Sequence, residues 1–242
     1  MKLKGRDLFR KSRIVFESYK DTYRQEIQKS IDFAGQDLDF FTEVKVSRLL
    51  SLTRQFVGNP KKLDILDVGC GVGITDYYLT SQFKKVYGID LSRGVVNKAA
   101  TLNPKASYKH YGGKKLPYAD NSMDVTFAIC VMHHVVPEGL SQFAKEMMRV
   151  TKKGGLVIVF EHNPFNPLTR HAVAHCDLDE DAHLLRLAEV DGILSEAHGT
   201  RVDRRYILFT PFRGKLFTVL DAGLKWLPLG AQYSVAAQKL KG

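Results

Sequence analysis

The sequence predicts an α/β fold, with a mostly parallel sheet covered by helices on both faces and an N-terminal helical extension. Three observations carry this. Short β-rich runs alternate with stretches of helical spacing from Leu63 onward. A glycine-rich break, Gly69, Gly71 and Gly73, separates the first such run from the helical spacing after it. The first sixty residues lack that alternation and read as helices. Alternating strands and helices imply βαβ units and a parallel sheet buried on both sides.

The elements follow in order. Asp37 to Val57 places Phe40, Phe41, Val44, Leu49, Leu52 and Phe56 near one face of a helix, and Asn59-Pro60 ends it. The predicted strands are Leu63–Val68, Val86–Ile89, Ser107–Tyr111, Met123–Ile129 and Leu156–Phe160. Helices are expected after Gly73, after Arg93 and over Gly139–Val150, and Gly154-Gly155 suits a turn before the fifth strand. The stretch EHNPFNPLTRHAVAHCDLDEDAH, with its prolines, histidines and acids, predicts an irregular segment. A helix from about Asp181 to Ala197, a strand near Arg205–Phe209 and a strand at Gln232–Gln238 complete the chain. Residues 1–60 form the helical extension and 61–242 the second unit.

Composition bounds the function. The 242 residues, 44% of them hydrophobic, are enough for one large α/β domain. Three cysteines (Cys70, Cys130 and Cys176) lack CxxC spacing, which suggests a reducing compartment and no structural zinc. The basic start MKLKGRDLFRKSR has no apolar core of a secretory signal, and no apolar run approaches the roughly 20 residues that span a bilayer, so a cytoplasmic protein is expected. The formal net charge of +10 admits an anionic partner. Its lysines and arginines are scattered, without an aromatic-interleaved basic run, which argues against nucleic acid. The oligomeric state is not readable.

The stretch LDILDVGCGVGITDYYL is a strand, a glycine loop and a helix, the corner that binds nucleotides at the C-terminal edge of an open sheet. A dinucleotide fingerprint needs a third glycine where Ile74 stands, and no Gly-Lys-Ser/Thr follows for a Walker loop. Asp67 at the mouth of the loop and Asp76 in the following helix would repel a pyrophosphate. They suit a ligand with a cationic amine and a ribose, and S-adenosylmethionine has both. Asp90, at the end of the second strand in VYGIDLS, stands where an acid accepts both ribose hydroxyls. This corner is Rossmann-like in character.

With LDVGCGVG, VYGIDLS, LPYADNSMDVTFAICVMHHV and MMRVTKKGGLVIVFEHNP in order, the chain resembles a class I S-adenosylmethionine-dependent methyltransferase of the type-11-like group over about residues 63–160. The resemblance implies that Asp67 and the backbone at Gly69 and Gly71 hold the methionyl end, that Asp90 holds the ribose with Leu91 against the adenine, and that Cys130 lies near the methionyl group. It departs from the family pattern at Gly112-Gly113, where relatives often carry an acid for the adenine amine.

Methyl transfer from a sulfonium asks mainly for alignment of the nucleophile, and a hydroxyl acceptor also needs a base. His133 and His134 follow the fourth strand, and Glu161, His162 and Asn163 follow the fifth. His134 or His162 is the favoured base, with Glu161 orienting a histidine or the substrate, and both Glu161 and His162 are expected to face the cofactor sulfur. His171 and His175, four apart near Cys176, Asp177, Asp179 and His183, could share a helix face as metal ligands, but no metal is expected. Leu216, Leu220, Leu224 and Leu227 line one side of a stretch that includes Trp226, either a helix covering the sheet or one allowing peripheral membrane contact. The expected function is methyl transfer to a small-molecule acceptor, at a hydroxyl of a sugar, a lipid-linked intermediate or a secondary metabolite. The alternatives are an RNA methyltransferase, a non-catalytic cofactor-binding module and, against the charge argument above, a nicotinamide dehydrogenase.

Overall fold

The structure is a computed structural model and describes residues 10–212, 214, 219, 221 and 223–240. Its helices are α1 (Arg10–Ser18), α2 (Tyr23–Ile31), α3 (Leu38–Phe56), α4 (Ile74–Leu79), α5 (Arg93–Leu102), α6 (Pro137–Val150), α7 (Pro167–Ala174) and α8 (Leu187–Glu196). Its strands are β1 (Asp64–Val68), β2 (Lys85–Asp90), β3 (Ser107–His110), β4 (Met123–Ile129), β5 (Thr151–His162), β6 (Gly199–Ile207) and β7 (Gln232–Lys239). They form one sheet in the order β3-β2-β1-β4-β5-β7-β6. The first five strands run parallel, and β7 pairs antiparallel with both β5 and β6.

Strand alternation divides the core into two layers. Ile65, Val125, Phe127, Leu156, Ile158 and Phe160 pack with Leu49 and Leu52 of α3 and Leu79 of α4 on one face. Leu66, Val68, Ala128, Val157 and Val159 pack with Phe143 and Met147 of α6 and Val190 and Leu194 of α8 on the other. The N-terminal helix α3 therefore builds core with the sheet, and its Leu49 and Leu52 are fully buried. Asp37 caps α3 by accepting from the Phe40 N–H at 2.8 Å.

Four elements differ from the sequence expectation. Gly154-Gly155 lies inside β5: Met123 pairs with Thr151 and Val125 with Leu156, so four residues bulge against one, and Gly154 takes a φ of 77° there. The segment after β5 is regular over α7, because Asn166 caps it by accepting from the Thr169 N–H at 2.9 Å and Pro167 fits its first turn. The helix expected from Asp181 begins only at Leu187. The strand expected near Arg205–Phe209 starts at Gly199 and ends at Ile207. As the sheet's edge, β6 is held by one neighbour and tolerates the charges of TRVDRRY, which mask its periodicity. Leu216 and Leu220 of the leucine-lined stretch lie outside the described residues, and Trp226 is exposed. No helix among the described residues is long and apolar enough to cross a membrane.

Candidate active site

The site grows from the C-terminal ends of β1, β2, β4 and β5. After β1 the chain turns through Gly69, Gly71 and Gly73, all with positive φ. At two of them the space is closed as well as the conformation. A Cβ on Gly69 would stand 2.6 Å from Val131 Cγ2, and one on Gly71 would stand 2.8 Å from the Tyr23 hydroxyl. The Gly69 and Cys70 N–H groups donate to the Ile89 carbonyl, which ties the loop to β2. Asp90 ends β2 and accepts from the Gly71 N–H at 3.1 Å and the Ser92 N–H at 3.0 Å, one on each carboxylate oxygen.

Beneath the loop lies a pair of buried acids. Asp67 Oδ1 and Asp76 Oδ1 are both buried without a hydrogen-bond partner. Burial, reinforced by the charges of Asp76 and Asp90, raises the Asp67 carboxyl well above its ordinary range. Burial pushes Asp76 up to about 7, against the lowering effect of the Tyr108 hydroxyl that donates to it at 2.9 Å. An unpartnered carboxylate oxygen at a glycine loop calls for a cation. The residues present thus fit a ligand with an ammonium and a ribose: an orphan acid, a close-approach backbone, and an acid with lone pairs to spare.

A cavity of about 440 Å³ opens beside the loop. Asp67, Gly69, Cys130, His134 and His162 all line it. Asp90, Leu91, Gly71 and Glu161 do not. Over the Asp90 end, α1 lies across the chain: the Glu17 carboxylate accepts from Ser92 Oγ at 2.5 Å and from the Gly94 N–H at 2.9 Å. Leu91 is partly buried against the core that holds α6 and α8. Cys130 is a non-glycine residue at φ 54°, and its half-buried thiol, pushed up by desolvation, accepts from Gln232 Nε2 at 3.4 Å.

The histidines are arranged differently from the sequence expectation. Glu161 is fully buried and does not face the cavity, because neighbouring residues of a strand point to opposite faces and His162 takes the cavity side. Glu161 instead accepts from the Val131 and Met132 N–H groups at 3.0 and 2.7 Å and holds His133 Nδ1 at 2.6 Å. The histidine it holds is His133, which does not line the cavity. Burial alone would lower the His133 pKa; Glu161 on one side and Asp179, 3.4 Å from Nε2, outweigh it and raise the value to about 10. His133 is therefore an imidazolium clamped by two carboxylates.

The two cavity histidines are neutral. Burial, then the His133 charge, lowers His134 and lowers His162 to about 4. His134 Nε2 lies 3.3 Å from Asp179 Oδ1, and the Phe16 ring of α1 packs edge-on at 5.1 Å. His162 Nδ1 lies 3.4 Å from Gln232 Nε2. Asn163 turns from the site and ties the chain to residues 228 and 230 through Nδ2 at 3.0 and 2.7 Å. Asp179, Gln232, Phe16, Tyr23 and Lys45 border the site without having been singled out for it by sequence; they come from segments distant in the chain with no motif.

Donor atoms of His133, His134 and Asp179 lie within 4.8 Å of one another, a geometry that could also hold a metal. Both His133 nitrogens face carboxylates, whereas a metal needs a free lone pair there. The rings of His171 and His175 stack at 4.1 Å, and His175 Nδ1 bonds to the His171 carbonyl.

Known proteins resemble the chain over the segment that holds the glycine loop, β2 and β4. Residues 66–159 match a family model described as a methyltransferase domain. The malonyl-[acyl-carrier protein] O-methyltransferase of Hamiltonella defensa is 30% identical over 60% of this chain and 54% of its own length. The 2-methyl-6-phytyl-1,4-hydroquinone methyltransferase of Synechocystis is 32% identical over 43% of this chain and 33% of its own. The chain thus spans about half or less of these two curated relatives. Among solved structures, an S-adenosylmethionine-dependent methyltransferase of Thermotoga maritima superposes with a TM-score of 0.65 at 17% identity, covering 93% of this chain and 99% of that one. One from Aquifex aeolicus gives 0.59 at 19%, covering 88% and 98%. At those identities the superpositions establish the fold, and the matched residues hold the glycine loop, β2 and β4 just described. Residues 66–159 are thus similar to a methyltransferase domain, on a fold shared with S-adenosylmethionine-dependent methyltransferases, and that likeness implies S-adenosylmethionine as cofactor.

Proposed function

We propose that the chain transfers a methyl group from S-adenosylmethionine to an oxygen of a small-molecule acceptor with an apolar body. The observation that carries this reading is the single cavity bordered both by the glycine loop, at Asp67 and Gly69, and by the neutral His134 and His162. Its remaining walls are largely aliphatic and aromatic, which favours a lipid-linked or aromatic metabolite over a free sugar. The relatives named for malonyl-[acyl-carrier protein] O-methylation and for a phytyl hydroquinone support a small acceptor of that kind.

When bound, S-adenosylmethionine supplies a methyl group on a sulfonium, a leaving group that needs no proton. Asp67 would meet the ammonium with its unpartnered oxygen, and Asp90 would accept the ribose hydroxyls with the lone pairs its backbone donors leave free. Gly69 and Gly71 would let the backbone approach the ligand, Leu91 would back the adenine, and Cys130 would wall the methionyl end. His134 would act as the base. Asp179 faces its Nε2, so Nδ1 is left to take the acceptor's proton, the nucleophile–base–orienter logic of acyl and methyl transfer alike. His162 would form a neutral polar wall. Glu161 would act at one remove, holding the His133 cation that fixes Asp179.

Calorimetry tests the reading. S-adenosylmethionine and S-adenosylhomocysteine should both bind, and NAD should not. Tight NAD binding with no response to either sulfur ligand would overturn it.

A further inference from the structure

Lys45 of α3 is 6% exposed and lines the cavity. Among the described residues it has no hydrogen-bond or ion-pair partner. Glu161, the acid whose charge reaches Lys45, and the other ion-paired buried acids of the described residues take their counter-charges elsewhere, and Asp67 is not among the charges that act on it. Glu161 and Asp179 are matched by His133, Glu146 by Arg149, and Asp191 by Arg201 and Arg204. An ammonium left unpaired in an apolar interior is costly, and a leucine or methionine would pack the same space without that cost. Burial accordingly pushes the Lys45 pKa down, against the opposing pull of Cys130 and Glu161.

The surroundings of Lys45 show what would balance it. Leu38, Phe41, Thr42 and Lys45 fall at the i, i+3, i+4, i+7 spacing of one helix face, and all four line the cavity. Ile27, Leu168, Val173 and Phe209 line it as well. Cys130, which follows β4, and His162, which ends β5, line the same cavity, and the Lys45 charge lowers the pKa of both. The cavity is thus a mainly apolar chamber in which, among the described lining residues, Lys45 is the unpaired cation, together with residues at the ends of β4 and β5.

Resting on the methyltransferase reading, we propose that the acceptor is an apolar monoanion whose anionic oxygen group is held by Lys45 beside Cys130 and His162. The apolar body fills the chamber under α2 and α7, and the anion supplies the missing counter-charge. Carboxylates and phenolates share this chemistry, and the anion is the group by which the acceptor is held, separate from the hydroxyl whose proton His134 takes.

The test is a titration of the protein saturated with S-adenosylhomocysteine, using decanoate and its uncharged counterpart decanamide. The wild-type protein should bind decanoate roughly tenfold to a hundredfold more tightly, the span of a charge-assisted hydrogen bond in a dry site. Lys45→Met should abolish that preference while leaving decanamide binding unchanged, and Lys45→Arg should keep it. S-adenosylhomocysteine affinity should be the same in all three proteins, which also reports that each is folded. Equal affinity for the two probes, or no binding of decanoate, overturns the proposal. So does a Lys45→Met protein that loses S-adenosylhomocysteine but keeps the decanoate preference, since Lys45 would then serve the cofactor. Failure of the wild-type protein to bind S-adenosylhomocysteine would instead defeat the methyltransferase reading, and titrating the free protein would still report whether Lys45 selects the anion.

Discussion

Glu161 holds His133 through a 2.6 Å hydrogen bond on the face of β5 opposite the cavity. Both side chains are essentially without solvent contact. Three acceptor contacts converge on this one carboxylate, two from backbone N–H groups and one from the imidazolium, so it is a fixed part of the loop after β4. Glu161→Gln should destabilise the fold by about 3–5 kcal/mol, because one partner of a buried ion pair is left without its counter-charge. Urea denaturation would measure this. A variant of unchanged stability that has lost only turnover would mean that Glu161 touches the acceptor after all.

The same clamp sets a pH dependence. The His133 pKa is raised to about 10 from an unfolded value near 6.5. Its contribution to stability is therefore fully present below pH about 6.5 and is lost as pH rises through about 10. Glu161 and Asp179 are lowered, burial opposing and His133 prevailing, so their contribution persists through this window and fades only in acid. Denaturation midpoints should fall between pH 7 and 10, and His133→Gln should flatten that slope. An equal slope in both proteins would place the titrating group elsewhere.

Much of this site is legible in sequence where motif and periodicity coincide. Asp67, the glycine loop and Asp90 sit at strand ends, and β1 and β2 announce themselves by apolar runs. The face of β5 on which Glu161 falls was legible too, since Phe160 and His162 share parity and Glu161 does not. What hid it was the expectation that all polar residues after a strand face the ligand. Asp179 and Lys45 were beyond reach for a different reason. Nothing local distinguishes a lysine on an amphipathic helix from a solvated one until tertiary packing buries it, and Asp179 meets His134 across 45 residues of chain that include α7.

Asp90 offers a measure of ribose recognition. Asp90→Ala should weaken S-adenosylhomocysteine by about 1.5–3 kcal/mol in calorimetry, through loss of charge-assisted hydrogen bonds. Part of that loss would come through the loop, since Asp90 also accepts the Gly71 N–H. Asp90→Asn keeps one acceptor oxygen and should fall between. An unchanged dissociation constant in a folded Asp90→Ala protein would show that another group holds the ribose.

The glycine loop gives the most discriminating experiment, because two glycines separate conformation from space. Gly69 has a φ of 84° and Gly58 one of 136°, both unfavourable for residues with a Cβ. At Gly58 an added Cβ would meet nothing within 4 Å, whereas at Gly69 it would meet Val131 Cγ2 at 2.6 Å and Cγ1 at 2.9 Å. Gly58→Ala should therefore cost only the backbone term, about 1–2 kcal/mol. Gly69→Ala should cost that and a further 1–3 kcal/mol or so of overpacking. Val131→Ala removes both methyl groups that the new Cβ would strike. In the Gly69→Ala background it should restore the overpacking part, so the double-mutant cycle should show a favourable coupling of more than about 1 kcal/mol. S-adenosylhomocysteine affinity should not return with it, because the new Cβ still projects beside the backbone that the ligand must approach. Additive stabilities would mean that the loop relaxes around the new methyl group and that its glycines answer to backbone conformation alone.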